Sequence, residues 1–185
     1  MAIRETSATA GVLTRNDKLP RNRYTICCNA ETFENSKSSG NPMVVRNWEI
    51  IAPESVIING LPKIIAGIEV KQYLPTIVLG EDGKRDDAKS DKALARLRDE
   101  NENLGIATAQ IDDENPELHC KGIVADAILS SKEYSPRLDP TPEQLKKGIK
   151  FGDPIKDEDG KEVKNYQVNL DQVLGLSSMK VEQAF

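Results

Sequence analysis

Between Arg23 and Leu170, apolar side chains recur at every second position in short runs, and one long stretch, Asp87 to Leu104, repeats at helical spacing. A period of two puts successive side chains on opposite faces of a strand, whereas a helix needs about 3.6 residues per turn. A chain patterned this way builds a mainly β domain of α+β type with a helix inserted late among its strands.

The runs are distinct. Arg23 to Ala30 alternates, with Tyr24, Ile26 and Cys28 on one side. A polar turn, Ser36 to Pro42, leads into a strand over Met43 to Ile51 that Pro53 ends. Its even positions are Val44, Arg46, Trp48 and Ile50, and its odd positions Val45, Asn47, Glu49 and Ile51, so neither face is cleanly apolar. Asn59-Gly60 is a hairpin turn signal. Lys63 to Leu74 reads as one strand with Ile64, Ala66, Ile68, Val70 and Leu74 on one face and a bend at Gly67. Leu118 to Ser130 is a further strand, with Ile123, Ala125, Ala127 and Leu129 in phase. Tyr166, Val168 and Leu170 mark the last strand, followed by a helical turn over Asp171 to Leu176.

The helix starts at a cap drawn from Asp86, Asp87 or Ser90, ends near Gly105, and carries a thin stripe of Ala93, Leu94, Leu97 and Leu104. Thr141-Pro142-Glu143-Gln144 starts a second, short helix with a capping box. Five to seven short strands with one helix inserted late among them predict a small OB-like Greek-key barrel, with a β-sandwich as the alternative. The expected layout is a flexible N-terminal arm over 1–22, an OB-like domain over 23–176 and a mobile C-terminal tail over 177–185.

Catalytic chemistry finds little support. Gly80-Glu81-Asp82-Gly83-Lys84-Arg85 lacks both the glycine spacing and the Ser or Thr of a phosphate loop. Asp157-Glu158-Asp159-Gly160 fails as a calcium loop, because Ile155 and Tyr166 fall where carboxylates belong. It reads as a hairpin turn. His119 is the single histidine, so no nucleophile–imidazole pair with an orienting acid can be argued. Cys27, Cys28 and Cys120 are an odd number without zinc-ligand spacing, and read as reduced thiols. These observations predict a binding protein, not an enzyme, with no cofactor and no metal. No apolar run approaches the roughly 20 residues of a membrane span, which predicts a cytoplasmic protein.

Single-stranded nucleic acid is held by cations that follow the phosphates and by rings that stack on bases. Arg46 with Trp48, and Lys71 with Tyr73, each place a cation two residues from an aromatic on a strand. Lys37 in the polar turn, and Tyr134 with Arg137 beyond the Leu118–Ser130 run, extend the candidate DNA-binding set. The competing reading of Trp48 is core, where aromatics dominate burial. Lys89, Lys92, Arg96 and Arg98 read as a solvated helix face. The net charge of −5 works against phosphate binding unless the cations are gathered in one place.

The run Glu31-x-Phe33-x-x-Ser36-Lys37-x-Ser39-Gly40-Asn41-Pro42-Met43, followed by a strand, resembles a family of small phage single-stranded-DNA-binding-like proteins found with recombination and replication genes. The lysine- and leucine-bearing helix closing on Leu104-Gly105, and the Lys121-Gly122 that opens a later strand, are similar to that family as well. The resemblance runs from about residue 23 to 176. It implies an oligonucleotide-binding barrel, sequence-independent binding of single-stranded DNA, phage recombination or replication proteins as partners, and the host cytoplasm. The tail differs from the acidic tails of phage single-strand binders: Ser177 to Ala184 holds one acid and one base ahead of Phe185. The acidic balance, polar arms and 4% aromatic content suit the alternative, a non-enzymatic protein-interaction or virion-structural β module.

Overall fold

The computed structural model describes residues 10–107, 111–149 and 151–178. The first nine positions of the expected arm, and the tail from 179 to Phe185, lie outside the described residues. The chain is mainly β. Its elements in order are β1 (Gly11–Val12), β2 (Asn22–Asn35), β3 (Pro42–Ala52), β4 (Ser55–Ile58), β5 (Leu61–Ile64), β6 (Glu69–Pro75), α1 (Asp87–Asn103), β7 (Val124–Tyr134), α2 (Pro142–Lys146) and β8 (Asn165–Leu176).

Five strands form one antiparallel sheet in the order β6-β3-β2-β7-β8. Counted among themselves, these strands run 3-2-1-4-5, with α1 between the third and fourth. This is the connectivity of a partly open, five-stranded oligonucleotide-binding barrel. The barrel is not closed: among the described residues no ladder joins the edge strands β6 and β8, which face each other across a cleft lined by Val70, Lys71 and Gln167. A small sheet, β1-β5-β4, sits beside it, with Asn59 and Gly60 at φ 51° and 77° in its hairpin turn.

Pairing decides which face is inside. Cys28 lies opposite Trp48, and Trp48 opposite Val70, so these three project to one side. Tyr24, Ile26, Ile50, Ala125, Ala127, Leu129 and Val173 join Cys28 and Trp48 in the main core. A second cluster lies under α1, where Leu97 meets Val44 and Leu74. Burying one leucine contributes about 1.5–3 kcal/mol, so Leu97 is the main apolar anchor of an otherwise polar helix. Asp86 caps that helix by accepting from the Lys89 amide at 3.1 Å.

Three expectations are corrected. Lys63–Leu74 is not one strand: the chain turns between β5 and β6, with Gly67 at φ 86° donating its amide to the Ile50 carbonyl at 2.9 Å. Ile65 and not Ile64 is fully buried there, because the turn resets the phase. Asp171 to Leu176 is strand, not helical turn. Register shifts against β7 insert extra residues in β8, and this breaks the period of two that a sequence reader follows. From Gly11 onward the expected arm is docked: β1 pairs with β5, and Leu19 belongs to the core.

Candidate nucleic-acid interface

The polar turn between β2 and β3 is built by its own backbone. The Ser36 amide donates to the Asn41 carbonyl at 2.8 Å, and the Gly40 amide to the Ser36 carbonyl at 2.8 Å. Gly40 sits at φ 72°, a conformation that costs a side chain about 1–2 kcal/mol. Asn41 Oδ1 accepts from the Leu79 amide at 3.0 Å, which ties the turn to the chain leaving β6. Lys37 stands exposed at its tip.

On β6, Val70, Gln72 and Leu74 point inward, so alternation turns Lys71 and Tyr73 outward. Tyr73 lies opposite Val45, and Lys71 opposite Asn47. Tyr73 is 53% exposed. The turn and this face enclose a groove of about 520 Å³, with Met43 and Pro75 on its floor and Lys37, Lys71, Tyr73 and Glu34 around it. A second hollow of about 390 Å³ lies across the β6–β8 seam and shares Lys71 and Tyr73. It adds Lys132, Gln167, Asn169 and Glu69. Because the two share residues, they form one track from the β2–β3 turn to the base of the β7–β8 connection.

The track carries Lys37, Lys71 and Lys132 against Glu34 and Glu69, a local excess of one positive charge on a chain whose sum is −5. Among the described residues, none of the three lysines is held in an ion pair. Tyr134 lies two residues beyond Lys132 on β7, so it shares that outward face and prolongs the line.

Arg46 and Trp48 are not in this interface. Arg46 is 1% exposed and Trp48 0%. Both point inward, in phase with Val44 and Ile50. Arg46 Nε donates to Glu31 Oε1 at 2.8 Å, Nη2 donates to Asn101 of α1, and Nη1 stands 3.8 Å from Glu100 Oε2. Trp48 Nε1 donates to Gln72 Oε1 at 3.0 Å, and Gln72 in turn donates to Glu100. The cation–aromatic pair that reads as a DNA contact is therefore the polar core that fastens α1 to the sheet. Arg137 is exposed but turned to other work: Nη1 donates to the Gly152 carbonyl at 3.3 Å, and the residue lines neither hollow. The site thus unites Lys37, Lys71 and Tyr73; Tyr134 shares the outward face of β7 with Lys132 but lines neither hollow. Lys132 is the residue missed by reading β7 as ending at Ser130. Carrying the phase of Asp126, Ile128 and Ser130 two residues onward would have found it.

The thiols serve structure. Cys28 and Cys120 are buried against each other, and the Cys120 amide donates to Glu31 Oε2 at 2.7 Å. The hydrogen bond with Cys28, together with burial, pushes the Cys120 thiol up. His119 pairs with Glu117 at 2.8 Å on the surface. Among the described residues no group of three or more His, Cys, Asp or Glu is arranged to hold a metal. Also among them, no helix is long and apolar enough to cross a membrane.

Comparison with protein-family models, with curated proteins and with solved structures finds no match to this chain.

Proposed function

We propose that the protein binds single-stranded DNA, without sequence preference, along the outer face of β3 and β6 between the β2–β3 turn and the β7–β8 connection. One observation carries this reading: the exposed Tyr73 ring sits where the two hollows meet, with Lys71, Lys37 and Lys132 spaced around it. Oligonucleotide-binding barrels take their ligands on this face, between these same two connections. Tyr73 and Tyr134 would stack on bases, and the three lysines would contact phosphates. The protein acts by binding and not by catalysis. The phage resemblance of the Glu31–Met43 run adds the setting: recombination or replication in the cytoplasm of an infected host, beside the proteins of those processes.

Titration of fluorescent oligo-dT at two salt concentrations tests this. Affinity is expected to fall with salt, with a log–log slope near −0.7 for each phosphate contacted. Tyr73→Ala is expected to weaken binding by about 1–3 kcal/mol, since stacking on one base is worth that much. Absence of binding at low salt, or an unaltered affinity in the Tyr73 variant, would reject the reading. The acidic balance of the chain favours the alternative of a protein-interaction module. Persistence of a co-eluting protein after nuclease treatment of a lysate would support that alternative.

A further inference from the structure

We propose that the β7–β8 connection is a self-association surface on which a second copy of this chain docks. Leu138, Leu145, Ile149, Phe151 and Ile155 are exposed by 57, 57, 42, 66 and 37%. All five lie on this one connection. Helix α2 buries none of its residues, so Leu145 has no core beneath it. Concentrated apolar exposure of this kind marks a surface that another molecule covers.

The side chains are held in place before any partner arrives. The Leu138 amide donates to the Asp153 carbonyl and the Gly152 amide to the Leu138 carbonyl, each at 3.0 Å. A Cβ on Gly152 would stand 2.7 Å from the Asp139 carbonyl oxygen and 2.8 Å from that of Leu138, so the two backbones touch directly. This contact fixes the backbone next to Phe151 against that of Leu138. The Ile149 amide donates to the Gln144 carbonyl at 2.9 Å, and a reciprocal cap between Thr141 and Gln144 fixes α2. Pre-ordered groups lose little freedom on docking.

Charge selects the partner. Between Ser135 and Lys164 the chain carries seven basic and seven acidic residues, so the whole −5 lies elsewhere. Two copies repel across the rest of their surfaces but not here. Arg137, Lys146 and Lys147 lie among Asp139, Glu143 and Asp153. A twofold arrangement can set the cations of one copy against the carboxylates of the other, as a self-complementary patch requires. A polynucleotide would meet as many carboxylates as cations, and four of the five apolar groups are aliphatic and offer no ring for stacking.

Light scattering on the full chain, without DNA, tests this over roughly 1–100 µM, which spans the micromolar range of modest protein affinities. The expected mass is twice the 20.4 kDa of one chain. Leu145→Ser with Phe151→Ser is expected to give monomers with an unchanged thermal midpoint. Lys146→Glu with Lys147→Glu, both at exposed positions, should raise the dimer dissociation constant roughly tenfold or more by setting like charges together. Ile57→Ser, on the small sheet, should leave the dimer intact. A monomeric wild type, a dimer that survives the serine pair, or one that Ile57→Ser dissolves would each overturn the proposal. Should the wild type be monomeric and the serine pair weaken oligo-dT binding, the strip belongs to the nucleic-acid interface instead.

Discussion

Arg46→Lys separates the two roles open to this residue. Were Arg46 a phosphate contact, lysine would keep most of the attraction, because a phosphate accepts either cation. In the core the geometry of the guanidinium matters. Its Nε donates to Glu31 of β2 and its Nη2 to Asn101 of α1, two acceptors on different elements, while Nη1 faces Glu100. A single lysine ammonium seated on Glu31 lacks the second donor nitrogen that reaches Asn101 on α1. Asn101 Oδ1 is then left in a buried site without its donor. Losing one charge-assisted bond of this kind costs about 1.5–3 kcal/mol. For a chain of this length each kcal/mol moves the thermal midpoint by about 2–4 °C, so a fall of roughly 3–12 °C is expected. Oligo-dT affinity of the folded variant should match the wild type at both salt concentrations. Calorimetry with a parallel fluorescence titration measures both. A variant that melts with the wild type but binds DNA more weakly would refute the buried assignment.

Lys132→Ala should reduce the salt slope of oligo-dT binding by about 0.7 without altering the thermal midpoint, since the side chain touches solvent and groove only. Asp126 gives a pH prediction. Burial pushes its carboxyl up, but hydrogen bonds from Arg23, Ser177 and Thr25 outweigh this and hold it below the ordinary value of 3.8. A lowered folded pKa contributes stability above the unfolded value, and that contribution is lost as pH falls through the folded one. The urea midpoint should therefore drop below about pH 4, and less steeply in Asp126→Asn, which starts lower at neutral pH. Gly152→Ala should force the Leu138–Asp153 ribbon apart and lower the dimer mass seen by light scattering, while circular dichroism of the body stays unchanged.

Where pattern alone sufficed, the fold was readable: the phase of Tyr24, Ile26 and Cys28, a helix cap among Asp86, Asp87 and Ser90, and the Thr141 capping box all follow from neighbours within a few residues. The misreading of Arg46 and Trp48 has a different cause from the broken phases in β6 and β8: a partner far away in the chain. Arg46 between Val44 and Trp48 has two solutions, a cation turned outward or a cation buried with its counter-charges. The second depends on Glu31 across the β2–β3 ladder and on Asn101 in a helix 55 residues on. No local spacing reports that helix. Once α1 is seated over β3 and β6, the choice is forced, because the inward phase already holds Val44, Trp48 and Ile50. The same pairing that sets Trp48 opposite Val70 turns the next residues of β6, Lys71 and Tyr73, to the outside. The burial of one cation–aromatic pair and the exposure of the other are therefore a single consequence of register. A one-residue slip of β6 would exchange Tyr73 for Gln72 at the groove and carry Lys71 into the core.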